Sequence, residues 1–305
     1  SASVTFRSLA DTLRLRAEAR DYNDQLIAGA GAGARWSTTN AAIVQADSIS
    51  GRIAARGNGT AQVIARLDST ADTTTVLVQQ RLVRFAFAPV NLVLDALSLD
   101  TVVTVTPLDS GGAPLAGGAP AFTTTMTALN AGIASVVRLT NTTFRVTSQG
   151  NSSTATGVRV VDAVGTVADD TLSVAVGQIA QTMVITSALS DTIDAFQDTL
   201  RVRARAFDAR NVEVQSRAIS WTSANTSVVT VDETGLVTGQ TAASVQVQAK
   251  MDAATAVAAI LVRNTPRSVS LSLDSTRITT IGDTVVVGAT ARNRLGATVA
   301  GASVT

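Results

Sequence analysis

Residues 198–208 read DTLRVRARAFD and residues 11–21 read DTLRLRAEARD, the same alternation behind the same Asp-Thr pair. Successive side chains of an extended chain point to opposite faces. Leu200, Val202, Ala204 and Ala206 therefore share one face while Arg201, Arg203 and Arg205 share the other; Leu13, Leu15, Ala17 and Ala19 oppose Arg14, Arg16, Glu18 and Arg20 in the same way. One face is expected to pack and the other to meet water, the pattern of a half-buried strand. A second block follows each copy: WSTTNAAIVQAD from Trp36 returns as WTSANTSVVTVD from Trp221, and the offset changes only from 187 to 185 residues.

Weaker copies of the first block open at Asp100 (DTVVTVTPLD) and Asp283 (DTVVVGATAR), so the starts lie 89, 98 and 85 residues apart. That period is close to the ~100 residues of an immunoglobulin-type sandwich. Turn signals fall between the alternating runs: Gly29 to Gly33, Gly111-Gly112 with Pro114, Gly117-Gly118 with Pro120, and Asp232 to Gly235. No segment shows a sustained helical period between caps. The expectation is an all-β chain of tandem immunoglobulin-like β-sandwiches, about three complete and one partial, with boundaries at 1–80, 81–179, 180–263 and 264–305.

Composition agrees and excludes much. Hydrophobic residues make up 46% of the 305 but aromatics only 3%, so cores of Val, Ile, Leu and Ala, and thin sandwiches, are expected. The formal net charge of +1 gives no electrostatic footprint for nucleic acid. Cysteine and histidine are both absent, which removes disulfides, thiolate chemistry, most zinc sites and the usual general base. No apolar run is long enough for a membrane helix, so no direct membrane insertion is expected in this segment. Lys250 is the single lysine among 24 basic residues, so Lys-to-Asn isopeptide bonds cannot lock every domain and assembly is expected to be non-covalent.

The third unit, Thr182 to Val262, resembles the bacterial Ig-like domain of group 2, a family of repeats in bacterial surface and phage proteins. Trp221 in WTSANTSVVTVD, the run from Thr234 to Gly239 and the alternating VQVQA ending at Ala249 carry the resemblance. It implies that Trp221 fills the space between the sheets, that Asn225 and Ser227 shape a corner, and that Gly235 supplies a positive φ in a hairpin. The first unit fits with Trp36, Asn40 and Gly51, its stretch Gly51 to Ala55 standing for Gly235 to Gly239. In the second unit Phe122 is expected at the tryptophan position, and Asn130 to Arg159 has no glycine hairpin. Short connections at Gln79–Arg81, Gly177–Ala180 and Arg263–Pro266 suggest a semi-rigid rod.

In the fourth unit, aligning Asp283 on Asp198 places the next tryptophan just past Thr305. Two readings stand: the natural protein continues, or a neighbouring molecule completes these strands by strand addition.

No catalytic, cofactor-binding or metal-ligating residue is assigned, and no cofactor is expected. The closest carboxylate pairs, Asp169-Asp170 and Asp232-Glu233, are read as solvated turn residues, since neighbours on a strand face opposite ways. Asp191, Asp194 and Asp198 could bind calcium, but their spacing matches no loop motif and a surface or capping role is preferred. The arginine ladders Arg14, Arg16, Arg20 and Arg201, Arg203, Arg205 are read as solvated faces, with lateral packing between neighbours as the sharper alternative. Asn58, Asn141, Asn151 and Asn225 head Asn-x-Ser/Thr sequences taken as chance. The expected partners are neighbouring subunits, reached through strand edges and sheet faces, or a surface glycan; open sandwiches leave unpaired edges. The family resemblance implies a non-enzymatic, extracellular or cell-surface bacterial protein acting as a stalk, adhesin shaft or filament subunit. A carbohydrate- or receptor-binding adhesin module and a phage tail or capsid decoration are the alternatives.

Overall fold

The structure, a computed structural model, describes residues 3–164, 168–187 and 190–303. Apart from one 3-10 turn at Ala30–Gly33, every regular element among these residues is a strand. The strands of the first repeat are β1 (Ser3–Phe6), β2 (Thr12–Arg14), β3 (Arg35–Thr38), β4 (Val44–Ala46), β5 (Arg52–Ala55), β6 (Gly59–Leu67) and β7 (Thr70–Val78). The second has β8 (Arg84–Ala88), β9 (Asn91–Leu94), β10 (Asp100–Leu108), β11 (Thr124–Ala128), β12 (Ala134–Arg138), β13 (Thr143–Ser148), β14 (Thr156–Asp162) and β15 (Asp169–Val176). The third has β16 (Thr182–Ile185), β17 (Ser190–Ile193), β18 (Thr199–Arg201), β19 (Ala204–Phe207), β20 (Ser220–Ser223), β21 (Val229–Val231), β22 (Leu236–Gly239), β23 (Ala243–Met251) and β24 (Ala254–Val262). β25 (Ser268–Leu271) and β26 (Ala289–Arg292) follow; the start of a further strand expected at the C-terminal end, residues 304–305, lies outside the described residues.

The chain divides into two compact units: Ser1–Leu94 with Ser98–Val176, and Asp95–Leu97 with Gly177–Thr305. In the first unit, sheets β1-β7-β6-β3 and β2-β5-β4 face each other, as do β9-β15-β14-β11 and β8-β10-β13-β12. The second unit repeats the plan with β17-β24-β23-β20 over β18-β22-β21, plus β16-β19 and β25-β26. In each of the first three repeats the strand before the Asp-Thr block runs parallel to the last strand: β1 with β7, β9 with β15, β17 with β24.

Alternation puts aliphatic side chains between the sheets. Val44, Ile53, Val63 and Val76 are fully buried in the first repeat, and Val229, Val237, Val247 and Ile260 in the third. The second repeat adds bulk with Phe85 and a fully buried Phe144. Gly235 has φ 78° in the β21–β22 hairpin, as the resemblance implied, and Gly51 has φ 70° between β4 and β5. A Cβ on Gly235 would lie 2.5 Å from the Val202 carbonyl oxygen, and one on Gly51 would lie 2.8 Å from the Trp36 ring. Backbone sign and close packing thus both demand glycine.

Three expectations change. The Asp-Thr block is a single strand only in the second repeat; in the third it splits into β18, paired with β22, and β19, paired with β16. Val202–Arg203 carries the chain from one sheet to the other without disturbing the alternation, so the pattern could not reveal the switch. Phe122 does not stand at the tryptophan position. Asn40 and Asn225 accept the corner hydrogen bonds four residues after Trp36 and Trp221; the matching corner is Asn130, which puts Met126 there, packed on the Phe85–Phe144 cluster. Asp169 and Asp170 lie in β15 rather than in a turn: Asp169 pairs with Arg159, and the Asp170 carboxylate accepts the Phe85 N–H at 2.6 Å.

Candidate interaction site

At the end of each Asp-Thr block stands Asp21, Asp109, Asp208 or Asn293, and each folds the next four residues into the same loop. Its N–H donates to the carbonyl four residues on and its carbonyl accepts from the N–H three residues on, over 2.8–3.0 Å. Its side-chain Oδ1 accepts from the second and fourth following N–H groups: Asn23 and Gln25, Gly111 and Ala113, Arg210 and Val212, Leu295 and Ala297. The third following residue has a positive φ in every copy: Asp24, Gly112, Asn211 and Gly296. Asp, Asn and Gly bear that conformation most easily, which explains their placement.

Spending Oδ1 on the loop leaves the second side-chain atom to face outward. In the first unit, Asp109 Oδ2 accepts the Leu9 N–H at 3.0 Å and the Gln80 amide at 2.9 Å. Gln80 follows the last strand of the first repeat, two residues past Val78. Its amide nitrogen also donates to the Pro114 carbonyl, and its Oε1 accepts from the Ala116 N–H and the Asn58 amide. Gln80 and Asp109 are both wholly buried. Every donor and acceptor of that amide is used, the condition under which a buried polar group stabilises rather than costs.

The second unit contains the same set. Asp208 Oδ2 accepts the Leu97 N–H at 2.9 Å and the Gln178 amide at 2.8 Å, and Gln178 also donates to the Glu213 carbonyl. Gln178 lies two residues past Val176, as Gln80 does past Val78. In the fourth repeat the direction reverses: Asn293, in place of aspartate, donates its side-chain amide to Oδ1 of Asn264, two residues past Val262, at 2.8 Å. Burial pushes the Asp109 and Asp208 carboxyls up, but hydrogen bonds outweigh it and hold both below the ordinary 3.8: from Gln80, Leu9, Ala113 and Ser8 on one, and from Gln178, Leu97, Val212 and Arg210 on the other. We call the amide-on-carboxylate contact of Gln80 with Asp109 and of Gln178 with Asp208 a latch.

The connections read as short linkers thus hold the latch residues, which sequence reasoning missed. The signal was present: a Gln or Asn two residues after the last valine, and an Asp or Asn closing each Asp-Thr block.

Other candidates disperse. Asp191 accepts its own neighbour's N–H from Thr192, Asp194 lies 3.6 Å from Arg263, and Asp198 pairs with Arg294. Among the described residues no group of three potential metal ligands gathers. Asp232 holds its hairpin through Thr234 and Leu236. The arginine ladders are partly engaged: Arg14 and Arg201 donate at 3.0 Å to the Ser50 and Thr234 carbonyls, just ahead of Gly51 and Gly235, while Arg20 and Arg205 face Glu18 and Glu213. Arg16 and Arg203 remain exposed. Asn58 belongs to the first latch, and the Asn141 amide donates to the Phe122 carbonyl.

Residues 181–261 match the family model for the bacterial Ig-like domain (group 2), so the resemblance carried by Trp221 and Gly235 holds over the third repeat. A search of curated proteins returned no match. Among solved structures, the chain is similar to domains 4–9 of the surface layer protein SbsC, with 17% identity over 87% of this chain and 45% of that one, TM-score 0.29. It is also similar to the Escherichia coli adhesin FdeC, with 15% identity over 86% of this chain and 96% of that one, TM-score 0.37. Invasin, described as a bacterial integrin-binding protein, gives 17% identity over 87% and 57%, TM-score 0.31. The chain spans less than half the length of the first surface-layer structures it matches.

Proposed function

We propose that this chain is a stretch of a bacterial cell-surface or secreted protein whose immunoglobulin-like repeats, spanning 1–80, 81–179, 180–263 and 264–305, serve as a non-enzymatic structural stalk, adhesin shaft or filament subunit. The latch carries this reading. A chain that only strings independent modules together needs flexible, solvated connections; here a connecting residue, Gln80, is wholly buried and hydrogen-bonded to the carboxylate of the next repeat within the first unit. The same contact recurs within the second unit, where Gln178 is buried on Asp208. The match of residues 181–261 to a bacterial Ig-like family supports the setting. Open strand edges and the exposed Arg16 and Arg203 are the surfaces offered to neighbouring subunits.

The test is antibody labelling of host cells with serum raised against this chain. Labelling of intact cells, or of filaments shed from them, is the expected result. Labelling that requires permeabilisation would overturn the reading.

A further inference from the structure

Asn58 is held at the first joint by four hydrogen bonds. Its Oδ1 accepts the Gln80 N–H at 2.7 Å, and its Nδ2 donates to Gln80 Oε1 at 2.9 Å and to the Ala116 and Gly117 carbonyls at 3.3 Å each. The next residue is Gly59, whose φ of 137° is one that side-chain-bearing residues rarely adopt. A Cβ there would also lie 2.8 Å from Ile43 Cδ1. The fold thus requires asparagine at 58 and glycine at 59 for separate reasons. Together they form the single Asn-Gly dipeptide of the chain. In the third repeat Ala242-Ala243 stands in this place, since Ala243 faces Val262 as Gly59 faces Val78.

Asparagine is most reactive when glycine follows it, because glycine has no Cβ to shield its backbone nitrogen and lets the chain bring that nitrogen to the side chain. The Gly59 nitrogen, having given its proton to hydroxide, attacks Asn58 Cγ. A new C–N bond closes a succinimide ring, the Cγ–Nδ2 bond breaks, and Nδ2 leaves as ammonia with a proton taken from water. Water then opens the ring at either carbonyl to give aspartate or isoaspartate. The ring closes only if Cγ turns toward the Gly59 nitrogen, and the closed joint opposes that turn. Both side-chain heteroatoms are pinned, and Gly118 packs so close that a Cβ on it would lie 3.2 Å from Asn58 Cβ. The product is of the wrong chemistry for this place: a carboxylate accepts hydrogen bonds and donates none. It would face three acceptors, Gln80 Oε1 and the Ala116 and Gly117 carbonyls, beside a wholly buried glutamine. The Gln80 N–H contact alone survives the change.

We infer that Asn58–Gly59 is a self-modification site governed by the first joint: Gln80 and the loop at Ala116–Gly117 suppress the reaction while they hold the asparagine, an open joint lets it proceed, and the carboxylate it leaves keeps the joint from closing as before. The substrate is the chain itself and the co-reactant is water. Because loss of ammonia is one-way, the first joint keeps a record of having opened. The second latch, Gln178 on Asp208, has no Asn-Gly dipeptide and retains its contacts. The site goes beyond the stalk reading and does not depend on it.

The test compares the full chain with a synthetic peptide of residues 54–63, both kept at mildly alkaline pH and sampled by peptide mapping for the mass gain and the isoaspartate that mark conversion. Asn58 is expected to convert at least about tenfold more slowly in the chain than in the peptide. Gln80→Ala removes the side-chain partner and should bring the chain most of the way to the peptide's rate, with the β6 amides still protected from hydrogen exchange as proof that the sandwich is folded. Equal rates in chain and peptide would overturn the gating, as would a Gln80→Ala chain that converts no faster than the unaltered one. Hydrogen exchange then reads the product. In Asn58→Asp the Gln80 and Ala116 amides should exchange at least about tenfold faster than in the unaltered chain, while the Val212 amide beside the second latch is unchanged. Unchanged protection at Gln80 and Ala116 would overturn the claim that the product loosens the joint. Neither failure touches the cell-labelling result.

Discussion

The first and third repeats carry nearly the same two sequence blocks, yet one is covered and the other is not. Trp221 packs against both core clusters of its repeat, the one between the sheets and the one beneath β16. Among the described residues Trp36 packs against the inter-sheet cluster, and a groove beside it opens to solvent. The comparison separates two jobs that the sequence blocks do together. Trp, Gly and the alternating valines build the inter-sheet core within a repeat. The second core belongs to the connection, because its lid is the leading strand that arrives with the latch residue. In the third repeat that strand, with Ala180 and Met183, closes the second core.

The largest effect expected from this contrast is at the tryptophans. Trp221→Ala should destabilise its repeat by about 3–5 kcal/mol, and Trp36→Ala by clearly less, because part of its surroundings is already wet. Urea unfolding of the full chain, followed by segment-resolved hydrogen exchange, measures both; equal losses would break the comparison. Next, Gln80→Ala and Gln178→Ala each strand a buried carboxylate and should cost about 3 kcal/mol locally. Asn58→Ala, which touches the first latch from its half-buried side, should cost about 1 kcal/mol. Gly235→Ala and Gly51→Ala should each cost about 1–3 kcal/mol, since both force a side chain into a positive φ beside a tryptophan. Similar losses in the two repeats are expected here, because this turn is built alike in both.

The smallest effect is that of acid. The folded Asp109 and Asp208 carboxyls lie below the ordinary 3.8, so their contribution is complete above the unfolded value and fades as pH falls through the lower folded one. Melting temperature should hold from neutrality to about pH 4 and fall below it, by less when Asp109 and Asp208 are both changed to Asn. A fall that begins near pH 6 would assign the acid sensitivity to other groups.

The sandwiches were legible because alternation and repetition encode them directly: two tryptophans, two glycines and the Asp-Thr blocks locate the inter-sheet cores. The switch of sheets at Val202–Arg203 was not legible, since a strand that changes partners keeps its in-out parity. Met126 was hidden because no aromatic marks it, although Asn130 four residues on repeats the corner of Asn40 and Asn225. The latch was hidden for a chemical reason. Gln80 reads as a polar linker residue and Asp109 as a turn former; only the chain path brings them together, and burial turns two ordinary surface residues into a joint.

Hydrogen exchange in the unmodified chain is the most direct test of the claim that a repeat's second core is closed by the connecting segment. Edge amides in Ala204–Phe207, paired with β16, are predicted to exchange at least about tenfold more slowly than those in Ala17–Arg20. Equal protection of the two stretches would contradict the account.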